Sequence, residues 1–111
     1  MAPPTDNETW LLLAGDKIIE KKAVTGFDAL NPWERLVYAL WAADYGIRNA
    51  GELEAAGDIY PDFMNTALQS AHALKLPVTH AAFSLAAADL EKEYLQRFDA
   101  LCDEIRRVEA I

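Results

Sequence analysis

Between Asn31 and Asn49 the chain carries a complete set of signals for one helix, and this stretch limits the fold more than any other. Asn31-Pro32-Trp33-Glu34 reads as an N-cap, a proline in the first helical position and an acid at N3. Trp33, Leu36, Val37, Leu40, Trp41 and Ile47 then recur at steps of three and four, the spacing of one broad helical face. Asn49-Ala50-Gly51 ends the pattern. A helix of this kind must bury that face against other elements, so the rest of the chain has to supply them.

It supplies more helices. Asp6 or Thr5 can cap a first helix that runs to about Val24 as one piece or two short ones, with Gly15-Asp16 as its weak point and Gly26 as its stop. Trp10, Leu13, Ala14 and Ile18 mark its apolar side. Residues 51–60 read as a connector with one helical turn at Leu53 to Ala56. Pro61 opens a further helix whose buried side is Tyr60, Phe63, Met64, Ala67, Leu68, Ala71 and Leu74, and Lys75-Leu76-Pro77 closes it. From Val78 onward there is no Gly or Pro. Phe83, Ala87, Leu90, Tyr94, Phe98, Leu101, Ile105 and Val108 form a continuous stripe, predicting one long helix or two broken near Asp89. No stretch alternates with period two between turn signals. The expected fold class is therefore all-α: a single bundle-like domain of four to six helices over residues 6–111, preceded by a flexible start at residues 1–5. Its expected core includes Trp33, Leu36, Val37, Leu40, Trp41, Phe63, Leu68, Phe83, Leu90 and Phe98.

Composition narrows the function classes. At 111 residues with 52% hydrophobic residues, the chain can bury one core without covalent staples. Eighteen acids against ten bases give a formal net charge of −8. That sign opposes direct binding of nucleic acid or of an anionic membrane, and it admits partners with basic surfaces. Much of the charge is equally what solubility requires. A single cysteine excludes an internal disulfide framework and a Cys-rich zinc site. The segment WLLLA lacks a basic leader and is too short for a signal sequence, and no apolar run is long enough to span a membrane. The expected location is cytoplasmic.

Residue types that carry chemistry are present but do not assemble into a recognisable motif. His72 and His80 fall in different predicted helices without the spacing of a metal site, so both are expected to be structural or surface residues, and no metal or cofactor is expected. Cys102 lies inside a helix without a histidine nearby; Arg106 could lower its pKa, but simple packing is the expectation. Trp33, Tyr38, Trp41 and Tyr45 lack the interleaved bases of a nucleic-acid stacking platform. Asp44 is the acid placed at the rim of an apolar face, with Arg48 one turn away to pair with it. An enzyme or ligand-binding domain using Asp44 remains an alternative, although the expectation is a non-enzymatic protein.

What stands out is charge pattern. Asp44, Glu52, Glu54, Asp58 and Asp62 face Arg48 alone over the same stretch, a local charge of −4. These five form the expected binding face for a protein partner with a basic surface. Glu91, Glu93, Asp99, Asp103, Glu104 and Glu109 form a second set, diluted by Lys92, Arg97, Arg106 and Arg107. The apolar stripe of the last helix, with Tyr94, Phe98, Leu101 and Ile105, has more heptad-like positions than a short bundle needs, and predicts a homodimer.

The segment from Asn31 to Pro77 resembles a bacterial domain family of largely unknown function that includes a DNA-mimic protein. Trp33, Val37, Tyr38 and Trp41 are similar to its aromatic helix, and Asp44 stands at its acid. Asn49-Ala50-Gly51 resembles its turn, Tyr60 to Leu74 its next helix, and EYLQRFDALCDEI its closing segment. The likeness covers roughly residues 30–107. After the turn, Glu52-Leu53-Glu54-Ala55-Ala56 replaces the family's aromatic, glutamine-containing run. The resemblance implies an acidic helical domain and, as an alternative function, a DNA mimic that occupies the DNA-binding face of a transcription regulator.

Overall fold

The computed structural model describes residues 6–108, and within them the chain is six α-helices with no strand. They are α1 (Asn7–Thr25), α2 (Pro32–Ala50), α3 (Glu54–Ile59), α4 (Phe63–Leu74), α5 (Pro77–Phe83) and α6 (Ala87–Arg106), with a 3-10 turn at Phe27–Ala29 after α1. The expected all-α single domain is what forms. The flexible start expected at residues 1–5, and Glu109, lie outside the described residues.

The start of α2 is built as its sequence dictates. Asn31 Oδ1 accepts from the Glu34 amide at 2.8 Å, and the Glu34 carboxylate accepts from the Asn31 amide at 2.9 Å. This capping box satisfies two amides that the helix itself cannot. Partial burial works against ionising Glu34, but the Asn31 amide and Lys21 outweigh it and hold its carboxyl below the usual range. α2 is the centre of the domain: α1, α3, α4 and α6 all pack on it, and Leu36, Val37, Ala39, Leu40, Ala42 and Ala43 are fully enclosed.

α1 is one uninterrupted helix despite Gly15-Asp16. The glycine is there for packing, since a Cβ at Gly15 would lie 2.5 Å from Trp41 Cδ1. α1 therefore rides directly over the Trp41 ring. Its buried side is Trp10, Leu11, Gly15 and Ile18, while Leu13, expected inside, is 55% exposed. In a run of consecutive leucines periodicity cannot choose the inner one; the close approach at Gly15 does. Of the expected core, Trp33, Trp41 and Leu68 are only partly buried and edge the core, and the others are inside it. Trp33 Nε1 donates to the Ile105 carbonyl at 3.0 Å, tying α2 to the end of α6.

The stripe after Val78 divides into α5 and α6, broken at Ser84–Ala86 rather than at Asp89. Asp89 lies in the first turn of α6 and does not cap it. The break needs no Gly or Pro because both ends of α5 are held by other means. Ser84 Oγ donates to the His80 carbonyl at 2.7 Å, and the N-terminal amides of α5 are bound by a glutamate from α6.

The four residues of that stripe expected to mediate self-association are buried. Tyr94, Leu101 and Ile105 have no exposed area and Phe98 is 4% exposed. α6 turns these residues onto α1, α2 and α5, so they complete the protein's own core and present no face to a second copy.

Candidate interaction face

The face expected to bind a partner begins where α2 stops. Gly51 takes the left-handed conformation, φ 75°, ψ 9°, and its amide bonds the Ile47 carbonyl, reversing the chain. α3 then crosses α2 at Gly46. A Cβ there would lie 2.8 Å from the Ala56 amide nitrogen and 2.9 Å from the Glu52 carbonyl, so only glycine permits this crossing. Leu53 and Ala56 point inward and are buried. Glu52, Glu54 and Asp58 are left outside, and Asp62, before α4, is exposed as well.

These four carboxylates make no ion pair or side-chain hydrogen bond among the described residues. No Lys or Arg occurs between Arg48 and Lys75. Glu54 and Asp58 are four residues apart and share one side of α3. Their charges are compensated by solvent and salt alone, within a screening length of about 8 Å under physiological conditions.

Asp44 does not belong to this face. It is 7% exposed, and its Oδ1 accepts from the Tyr94 hydroxyl at 2.8 Å and from Arg48 Nε at 2.9 Å. Arg48 also pairs with Glu8 at 3.0 Å and lies 4.7 Å over the Phe98 ring. One guanidinium thus clamps α1, α2 and α6, and Asp44 is the acid that orients it. The i,i+4 pairing was legible in the sequence; Tyr94, fifty residues away, was not. Burial works against the charge of Arg48, yet the bond to Asp44 and the fields of Asp44 and Glu8 raise its pKa. Burial, then the Asp44 carboxylate, pushes the Tyr94 phenol well above its ordinary range. Burial also pushes the Cys102 thiol up to about 12, with Asp44 contributing and Arg106 giving only a small opposing effect. The Cys102 side chain is fully enclosed in the core.

A cleft of about 210 Å³ opens beside this network, lined by Leu12, Trp41, Asp44, Tyr45, Arg48 and Glu8 among others. It brings together two carboxylates bridged by one guanidinium.

The histidines are closer than their sequence separation suggests. The α4–α5 corner, where Lys75 takes the left-handed conformation at φ 58°, brings the His72 and His80 rings to 6.0 Å. No group of three or more His, Cys, Asp or Glu that could hold a metal ion occurs among the described residues. No helix among them is long and apolar enough to cross a membrane.

Two acids of the second set have roles that sequence reasoning missed. Glu104 is 4% exposed and accepts from the Val78 amide at 3.0 Å, the Thr79 amide at 2.7 Å and the Thr79 hydroxyl at 2.7 Å. Glu91 accepts from the Leu53 amide at 2.7 Å. α6 therefore caps both α5 and α3, neither of which has a side-chain cap of its own. The available signal was weak: a short apolar-capped helix needs an acceptor from elsewhere.

Beside α3 lies a second, wider depression of about 450 Å³ between α3, the start of α4 and the first turn of α6. Leu53, Phe63 and Met64 line it, with Glu54 and Glu91 among its bordering residues.

Comparison with protein-family models, curated proteins and solved structures finds no match to this chain.

Proposed function

We propose that this chain is a non-enzymatic protein-interaction domain that engages a partner with a basic surface through the face around α3. The observation that carries this reading is the set of four exposed, unpaired carboxylates, Glu52, Glu54, Asp58 and Asp62, on a stretch without Lys or Arg. Many of the other acids are used internally. Asp44 holds Arg48, Glu34 holds Lys21, Glu93 holds Arg97, and Glu91 and Glu104 cap helices. The α3 face is thus where uncompensated negative charge collects, and such a field speeds and orients the approach of a basic partner. The cleft beside Asp44 gives less support to an enzymatic reading, because both of its carboxylates are engaged by Arg48.

The test is affinity capture from the source cell with the wild-type chain and with a variant carrying Glu52→Gln, Glu54→Gln and Asp58→Gln. The substitutions are exposed and are expected to leave helical content unchanged. A specific basic protein should be recovered with the wild type, be released by moderate salt, and be missing with the variant. Recovery of the same proteins by both chains would overturn the proposal. Competition of the captured protein by duplex DNA would identify the DNA-mimic form of this activity.

A further inference from the structure

The five glycines separate into four that the fold requires and one that it does not. Gly26 and Gly51 have positive φ, and Gly15 and Gly46 admit a neighbour at less than 3 Å from where a Cβ would be. Gly57 has neither reason. Its φ is ordinary, and no atom of the described residues lies within 4 Å of the position its Cβ would take. It sits inside α3, a helix of six residues, where a glycine weakens the helix and an alanine would strengthen it. Nothing among the described residues accounts for its small size. Glycine is also the residue used where another molecule must approach a backbone closely.

The open space above Gly57 is the depression between α3, α4 and α6. Leu53 and Phe63 give it a buried apolar floor, Met64 a flexible side, and the exposed Ala87 and Ala88 a second wall of small residues. Methionine and small residues together suit a surface that receives varied apolar side chains. Its surroundings are acidic: α3 and its flanks carry Glu52, Glu54, Asp58 and Asp62 and no base, and the first turns of α6 carry Asp89 and Glu91 with one base, Lys92.

From this we infer that the groove over Gly57 receives the apolar side of a basic amphipathic helix from the partner. Its leucine-like side chains enter between α3 and α6, and its Lys or Arg residues meet the acidic rim. This rests on the reading of the α3 face as a binding surface and adds what that reading lacks, an apolar anchor. Charge complementarity selects the occupant: an acidic rim around an apolar floor matches a helix with basic flanks, the helix-in-groove arrangement in which anchors recur at i, i+3 or i+4 and i+7. An acidic or uncharged apolar helix would leave the rim carboxylates unpaired against it.

The experiment uses two labelled helical peptides of equal length and charge. One has Leu at i, i+3, i+4 and i+7 with Lys on its flanks; in the other every Leu is Ala. Anisotropy titrations compare the wild-type chain with Gly57→Phe, Gly57→Ala and the pair Glu54→Gln, Asp58→Gln. Gly57→Phe places a ring in the groove, and the free space at its Cβ allows the fold to stay intact, which circular dichroism and thermal melting verify. The wild type should bind the Leu peptide at least about tenfold more tightly than the Ala peptide, the effect of burying one or two leucines. Gly57→Phe should abolish that preference and retain weak, salt-sensitive binding of both peptides. Gly57→Ala should keep most of the preference. The Gln pair should weaken both peptides together. Equal binding of the two peptides by the wild type, or a preference that survives Gly57→Phe, overturns the groove while leaving the acidic face standing. Binding unaffected by the Gln pair overturns the face itself.

Discussion

Glu104 caps a helix to which it does not belong. Its carboxylate takes three hydrogen bonds from the start of α5, the two from Thr79 buried and the one from the Val78 amide partly so. Removing it strands two backbone amides and a hydroxyl. Glu104→Ala is therefore expected to lower stability by about 2–4 kcal/mol, and Glu104→Gln, which keeps one acceptor, by roughly half as much; urea denaturation measures both. A second prediction concerns alkaline pH. Tyr94 and Cys102 both have raised pKa values when folded, so the native state holds their protons more tightly than the unfolded chain. Stability is complete below the ordinary thiol value of 9.0 and falls as pH climbs from there toward about 12. Melting temperatures recorded from pH 7 to 11 should show this decline, and Cys102→Ala should make it shallower. The Asp44–Arg48 pair was readable in the sequence because its partners are one helical turn apart. The Tyr94 and Glu104 interactions were not, because the residues they join are 50 and 25 positions apart and only the packing of helices brings them together.

At the level of the element, legibility follows where the stop and start signals reside. α2 could be drawn from its sequence to within a residue, since its capping box and terminal glycine are all local. α3 was foreseen as a single turn and proved a helix of six residues, because its amide cap comes from Glu91 on α6. The α5–α6 break carries no Gly or Pro, and the stripe of apolar residues runs across it without interruption. The glycines give an opposed pair of predictions. Gly46→Ala must push α3 away from α2 and is expected to cost about 1–3 kcal/mol. Gly57→Ala meets open space and is expected to stabilise by about 0.5–1 kcal/mol. Thermal denaturation of the two variants side by side separates them by sign.

For the whole molecule, the distribution of charge says more than its total. Most of the formal −8 is ordinary for a soluble surface, and several acids are consumed in pairs and caps. The acidic face was therefore legible as a run of residues, but which of its members were free was not: Asp44 left the set once Tyr94 and Arg48 enclosed it. The apolar stripe of α6 illustrates the same limit. Periodicity identifies a face that must be covered without saying by what, and here α1, α2 and α5 cover it. Ile105→Glu is accordingly expected to cost about 3 kcal/mol or more by burying a charge, and to unfold the chain instead of merely changing its state of association. Circular dichroism combined with sedimentation distinguishes the two results.

The Glu91 bond to the Leu53 amide has a consequence for motion. It joins the two walls of the groove, and it is also what terminates α3 at its N-terminal end. Separation of the walls at this bond and fraying of the start of α3 are therefore coupled. Widening the depression at this point costs that bond and leaves the Leu53 amide without its acceptor. Hydrogen exchange at the α3 amides thus serves as a gauge of how far the walls have parted.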